Sequence, residues 1–179
     1  ADARSPKMQS YLNLATKFRE SFRPFAPICM KEYAKEYFEE IHDSPYMLLV
    51  DQVKNTLCVD RNVAAKGSSI VEWVNQVRST LPAITHVDFS ARIQTVDRER
   101  NERLYQLMDE FRKITGCPVL VNTSFNVRSE PIVCTPHDAY RCFMRTGMDV
   151  LVLENWILLK ADQPEWIESK SWQEEFGLD

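Results

Sequence analysis

The segment PVLVNTSFNVRSEPIVCTP, Pro118 to Pro136, constrains the fold more than any other part of the chain. Val119, Leu120 and Val121 make a short apolar, β-branched run that reads as a buried strand. The run ends in small polar residues, Asn122, Thr123, Ser124 and Asn126, followed by Arg128, as a strand does when it opens into an anion-holding loop. Thr135-Pro136 then supplies an N-cap and a proline suited to a first helical turn, with Ala139, Cys142, Phe143 and Met144 as inward positions and Gly147 as the stop. About a hundred residues earlier lies a cationic cluster, KFRESFRPFAP, Lys17 to Pro27. The two segments read as two sides of one phosphate pocket.

The remaining elements follow the same alternation. Ser5-Pro6 opens a helix through Met8, Tyr11, Leu12 and Ala15 that delivers Lys17 and Arg19, and Pro24 and Pro27 forbid its continuation. Phe25 to Met30 is then extended, Glu32 to Glu40 a short amphipathic helix, and Met47 to Val50 a strand after the Ser44-Pro45 turn. Residues 51–82 are polar and weakly patterned, an insertion or irregular connection with one helix over Ile70 to Val77. Thr85 to Val96 alternates as a strand, Glu102 to Thr115 carries apolar residues at helical spacing up to a Gly116 cap, and Val150 to Leu153 pairs with Trp156 to Lys160. The reading is an α/β domain with a mixed sheet and flanking helices.

With 179 residues, 44% hydrophobic content, nine Pro and only four Gly, the chain suits one globular domain rather than a low-complexity chain. Neither a signal peptide nor an apolar stretch long enough to span a bilayer occurs, which points to the cytoplasm. The five cysteines are odd in number and mostly set in apolar runs, Cys134 included, as buried reduced thiols would be. The net charge of −4 is unevenly placed: residues 1–31 carry six basic and two acidic side chains, whereas the tail carries five acidic and one basic over residues 164–179. A broad nucleic-acid footprint is therefore absent while a local anion site is not. The tail from Gln163 sets Trp166, Ile167, Trp172 and Phe176 at helical spacing.

Taken together, ADAR at the start, KFRESFRPFAP, SPYM, ITHVDFSARIQTV, TGCPVLVNTSFNVRSEPIVCTPHDAYRCF and TGMDVLVL, in this order, resemble the C-terminal domain of the O-carbamoyltransferases of the nodulation protein NodU and cephamycin or tobramycin type. The resemblance spans residues 1 to about 160. It implies a YrdC-like open twisted sheet over residues 1–162 with a concave basic face, followed by an acidic tail over 163–179, and it leaves the family's actin-like domain with its iron-binding histidines outside this sequence. It also implies half of a reaction: carbamoyl phosphate yields carbamate, which attacks the α-phosphate of ATP, with Mg²⁺, to form carbamoyl adenylate for transfer to a hydroxyl by the actin-like domain. The other reading of the same fold is a noncatalytic nucleotide- or RNA-binding module.

On this resemblance the YrdC-like pairing of Lys-x-Arg with Ser-x-Asn falls on Lys17, Arg19, Ser124 and Asn126 as catalytic residues. Arg23, Arg92 and Arg128 become further anion ligands, with Asn122 and Thr123 beside them. No metal ligands are assigned in this domain. Without it, Lys17 and Arg19 read as solvated cations at a helix end, Ser124 and Asn126 as turn-formers, and Arg23 as a loop-fixing residue. His86 and Asp88, two apart on a strand, would face one side and orient a substrate or Mg²⁺, or else form a structural pair. The family string reads Asn-x-Arg-Gly-Glu-Pro where this chain has Ser129, a departure that bears on the local backbone conformation and on its close approach to a ligand.

Overall fold

The computed structural model describes residues 1–40, 43–59 and 69–167. In chain order the elements are α1 (Met8–Leu12), a π-helical turn (Asn13–Lys17), β1 (Ala26–Met30), a 3₁₀ turn (Lys31–Tyr33), α2 (Ala34–Tyr37), β2 (Leu49–Gln52), a 3₁₀ turn (Asn55–Leu57), α3 (Ile70–Val74), β3 (Ser90–Val96), α4 (Glu102–Thr115), β4 (Val119–Asn122), α5 (Pro136–Arg145), β5 (Val150–Leu153), β6 (Trp156–Leu159) and a 3₁₀ turn (Lys160–Asp162). They fall into two compact units, one of Ala1–Gln9 with Phe22–Thr123, the other of Ser10–Ser21 with the chain from Ser124 onward. No helix among the described residues is long and apolar enough to cross a membrane.

The first unit is built on a mixed sheet in the order β2-β3-β1-β4, open at both ends. β1 runs parallel to β3 and antiparallel to β4, and β2 runs antiparallel to β3. All five residues of β1 are buried, as expected of a strand with neighbours on both sides. Pro27 is tolerated there because pairing with β3 begins only at Ile28↔Gln94, so its missing N–H costs no ladder bond on that side. One sheet face carries Ile28, Met30 and Val96 against Met108 of α4, flanked by Leu104, Tyr105 and Leu120. The α4 termini follow its sequence: the Asn101 side chain accepts from Leu104 N, and Gly116 closes the helix at φ 75° with its N–H on Arg112 O at 2.7 Å.

The second unit packs α5 on the β5-β6 hairpin through Ala139, Phe143 and Leu151, with Phe125, Tyr140 and Leu158 around them. Thr135 and Asp138 cap α5 reciprocally, and Pro136 occupies its first turn. The π-helical turn ends where Phe18 enters the left-handed region at φ 51°.

Several elements differ from the sequence reading. The helix expected through Ala15 changes pitch at Asn13, and the one expected over Glu32 to Glu40 is a 3₁₀ turn followed by a single α turn. Met47 sits at φ 57°, which no strand accepts, so β2 begins at Leu49. Phe89, at φ 67°, donates to His86 O at 3.0 Å, so 86–89 is a turn and β3 begins at Ser90. Within 51–82, Val53 and Leu81 are buried, α3 stops at Val74, and residues 60–68 lie outside the described chain. The helix expected from Gln163 does not form over 163–167, and 168–179, with Trp172 and Phe176, lie outside the description. Cys29, Cys117 and Cys142 are buried and unpaired, but Cys134 is exposed because it sits in the loop just before the α5 cap.

Candidate functional site

The π-helical turn carries Lys17 into the interior of the second unit, where it is only 4% exposed. Its Nζ donates to Asn126 Oδ1 at 2.8 Å, to Asn126 O at 2.9 Å, to Ser124 Oγ at 3.3 Å and to Ser124 O. Three ammonium protons are thus shared among four acceptors, all of them neutral oxygens. Ser124 Oγ in turn donates to Asn126 Oδ1 at 2.6 Å, and Asn126 Nδ2 donates to Glu130 O at 2.7 Å. The structure therefore brings Lys17, Ser124 and Asn126 together across more than a hundred residues of sequence.

Arg19 acts on Lys17 electrostatically. Its Nε donates to Asn13 Oδ1 at 2.6 Å, while the fully buried Asn13 donates from Nδ2 to Ser21 O at 3.0 Å. Burial and, next, the Arg19 charge push the Lys17 ammonium down to about 8, partly opposed by Cys142 and Glu130. Arg128 N donates to Lys17 O at 3.2 Å, and its guanidinium stands 4.0 Å from Glu20 at the surface, a pair of little energetic weight.

The other candidates belong to the first unit. Asn122 Nδ2 donates to Gln94 Oε1 at 2.6 Å, and Gln94 Nε2 to Pro45 O at 2.8 Å. The register sets Arg92, Gln94 and Asn122 on the α4 side of the sheet but beyond the helix, with Arg92 exposed opposite Val50. A cleft of about 490 Å³ opens on this face, lined by Ile28, Tyr46, Gln94, Arg100 and Asn101. Thr123 and Arg23 are exposed.

A second cleft, of about 280 Å³, is lined by Phe22, Pro24, Arg78, His86 and Asp88. His86 and Asp88 lie on a turn rather than a strand and meet through Ser90: Ser90 Oγ donates to Asp88 Oδ1 at 2.7 Å and stands 3.1 Å from His86 Nδ1. The single hydroxyl proton goes to the carboxylate, which makes Nδ1–H the donor to Ser90 and leaves Nε2 an acceptor in the neutral ring. Burial lowers the His86 pKa, with Asp88 opposing and Arg92 assisting; the Ser90 hydrogen bond lowers that of Asp88. Among the described residues no cluster of three or more His, Cys, Asp or Glu is placed to hold a metal ion.

Sequence reasoning missed Asn13, Gln94 and Glu130. Only Glu130 had a signal, as part of the Asn-x-Arg-x-Glu string; the other two act through contacts distant in sequence.

Comparison with known proteins adds an independent line. The chain is 57% identical over 99% of its length to an uncharacterized protein of Synechocystis, of which it covers 29%. It is 37% identical over 93% of its length to nodulation protein NolO of Bradyrhizobium diazoefficiens, covering 28% of that protein, and 39% identical over 71% of its length to nodulation protein U of Rhizobium tropici, covering 18%. The chain thus spans less than a third of these relatives. The family model described as carbamoyltransferase C-terminus matches residues 1–160, and the chain belongs to that family.

Proposed function

We propose that this chain is the C-terminal part of a carbamoyltransferase that binds carbamoyl phosphate and ATP and forms carbamoyl adenylate, which the N-terminal part of the longer enzyme transfers to a hydroxyl. Lys17, Arg19, Ser124 and Asn126 are assigned to the phosphate being displaced or attacked. The observation that carries the reading is a buried ammonium with only neutral oxygens for acceptors, reinforced by a second cation close enough to depress its pKa. Burying a charge without a contacting counter-ion is costly, and a ligand phosphate relieves that cost.

The chemistry asks for little more than fixed positive charge and positioning. Water cleaves carbamoyl phosphate to carbamate and phosphate; a carbamate oxygen then bonds to the α-phosphorus of ATP as pyrophosphate leaves. Lys17 and Arg19 offset the developing negative charge, and Ser124 and Asn126 offer a hydroxyl and an amide to the carbamoyl group. Arg23, Arg92, Asn122, Thr123 and Arg128 are assigned to further anion and nucleotide contacts, His86 and Asp88 to substrate orientation, and Mg²⁺ accompanies the nucleotide as substrate.

The test is calorimetric titration of the 179-residue chain with carbamoyl phosphate and with Mg-ATP, together with pyrophosphate release in the presence of both. Binding of either ligand that weakens with salt supports the assignment. No heat and no thermal stabilisation with either at millimolar concentration overturns it.

A further inference from the structure

Glu130 is the acidic group woven into the loop that holds Lys17. Its side chain is 3% exposed, and its Oε2 accepts from Val127 N at 2.9 Å, tying the start and end of the 127–130 turn. Its backbone oxygen accepts Asn126 Nδ2 at 2.7 Å. That bond settles which way the Asn126 amide faces: with Nδ2 spent on Glu130, Oδ1 is turned toward Lys17 Nζ and Ser124 Oγ. Glu130 Oε1 accepts no hydrogen bond among the described residues, and the guanidinium nitrogens of Arg145 and Arg141 stand 3.8 and 3.9 Å from it, beyond hydrogen-bond range. The carboxylate is therefore hydrogen-bonded through one oxygen and ion-paired to two guanidinium groups through the other.

We propose that Glu130 is the positioning residue of this site: its carboxylate ties the 127–130 turn on Val127 N and its backbone oxygen orients Asn126 toward Lys17, without touching the ligand. The proposal rests on the assignment of Lys17 and Asn126 as phosphate-binding residues. The groups acting on Lys17 are Arg19, which opposes its charge, and Cys142 and Glu130, which favour it; of these Glu130 is the only carboxylate. Burial, with Glu130 acting in the same direction, pushes the Cys142 thiol up to about 12, so the thiol stays neutral and the support falls to Glu130.

The experiment follows the Lys17 ammonium by NMR in the full 179-residue chain, its signal assigned with Lys17→Arg. In wild type, burial and the Arg19 charge should place its midpoint at about 8. Glu130→Gln keeps the size and an acceptor for Val127 N but removes the charge, and should lower the midpoint; Glu130→Asp keeps the charge and should restore it toward wild type. Carbamoyl phosphate affinity of Glu130→Gln should fall several-fold near the wild-type midpoint and little well below it, where Lys17 is protonated in both proteins. A Lys17 midpoint and a pH profile of binding unmoved by Glu130→Gln, with only melting temperature lowered, would reduce Glu130 to a structural carboxylate and overturn the proposal. Hydrogen exchange in wild type provides a check that no variant can spoil: the Asn126 Nδ2 protons should exchange slowly, and free-amide rates there overturn the orienting role. If wild type binds neither carbamoyl phosphate nor ATP but Lys17 still responds to Glu130→Gln, the functional assignment fails and the Glu130–Lys17 coupling stands.

Discussion

Replacing Ser129 by glycine should stabilise the protein, and the reasons are local. Ser129 sits at φ 62°, in the left-handed region that costs an L residue roughly 1–2 kcal/mol. Its Oγ is buried and has no hydrogen-bond partner among the described residues, a state that costs about 1–3 kcal/mol for a hydroxyl. Glycine abolishes both terms but has a more flexible unfolded chain, which returns roughly 0.4–1 kcal/mol. The net gain should be about 2 kcal/mol, or roughly 4–8 °C in melting temperature for a chain of this length. Urea and thermal denaturation followed by circular dichroism read it directly. Ser129→Ala separates the contributions, since it removes the hydroxyl but keeps the Cβ, and should recover only part of the gain. A Ser129→Gly variant no more stable than wild type would show that neither the backbone strain nor the buried hydroxyl is real.

Three further perturbations test the same unit. Lys17 loses its proton in the folded state at about 8 but only near its ordinary value of 10.5 when unfolded, so the unfolded state binds more protons between these pH values. Wild-type stability should therefore rise with pH across that window relative to Lys17→Met, and a pH-independent difference between their urea midpoints would contradict the burial of this charge. Arg19→Ala should weaken carbamoyl phosphate or ATP binding roughly tenfold or more, the worth of a charge-assisted contact, as read by calorimetry; unaltered affinity removes Arg19 from the site. A Cβ at Gly147 would lie 2.9 Å from Ala15 Cβ and 3.2 Å from Ala15 O, so Gly147→Ala should cost about 1–3 kcal/mol in denaturation experiments, and a neutral effect would mean that this approach is looser than described.

The elements legible in the sequence are those whose signals are local. α4 and α5 announce themselves by N-cap residues, apolar spacing and a following glycine, and β4 by its β-branched run. What escaped is set by tertiary contact. The change of pitch at Asn13 lets a fully buried asparagine reach Ser21 O, and no periodicity in MQSYLNLATK encodes that. His86 and Asp88 read as alternating strand residues because the segment is β-rich, yet the Asp88 carboxylate captures both N–H and O–H of Ser90 and folds the chain into a turn instead. Within the site, Lys17, Ser124 and Asn126 were reached through family resemblance, since a lysine at a helix end and two turn-formers are ordinary on their own. Glu130 and Asn13 went unseen because each works by hydrogen bonds that fix its neighbours.

The proposed assignment of a phosphate ligand to Lys17 implies, through the depressed pKa of that lysine, a proton signature of binding that steric fit alone would not give. In the free site the ammonium is opposed by burial and by Arg19, and its four acceptors carry no charge, so about half the molecules have lost the proton at a pH of about 8. A phosphate beside Lys17 favours the charged form and moves the midpoint back toward 10.5. Binding at a pH between these values must then take up as much as one proton, while binding well below 8 takes up almost none, because Lys17 is already protonated. Phosphate ligands are fully ionised in that alkaline window and contribute no proton of their own. Calorimetry near pH 9 in two buffers of different ionisation enthalpy should therefore give different heats for the same ligand, with the two converging as the pH is lowered toward 7. Affinity should decline above the midpoint for the same reason, since the ligand must also recruit the proton. Intact binding at pH 9 with no dependence on buffer would mean that the anion is held without Lys17 and would return the lysine to a purely structural role in tying the 124–126 loop to the π-helical turn.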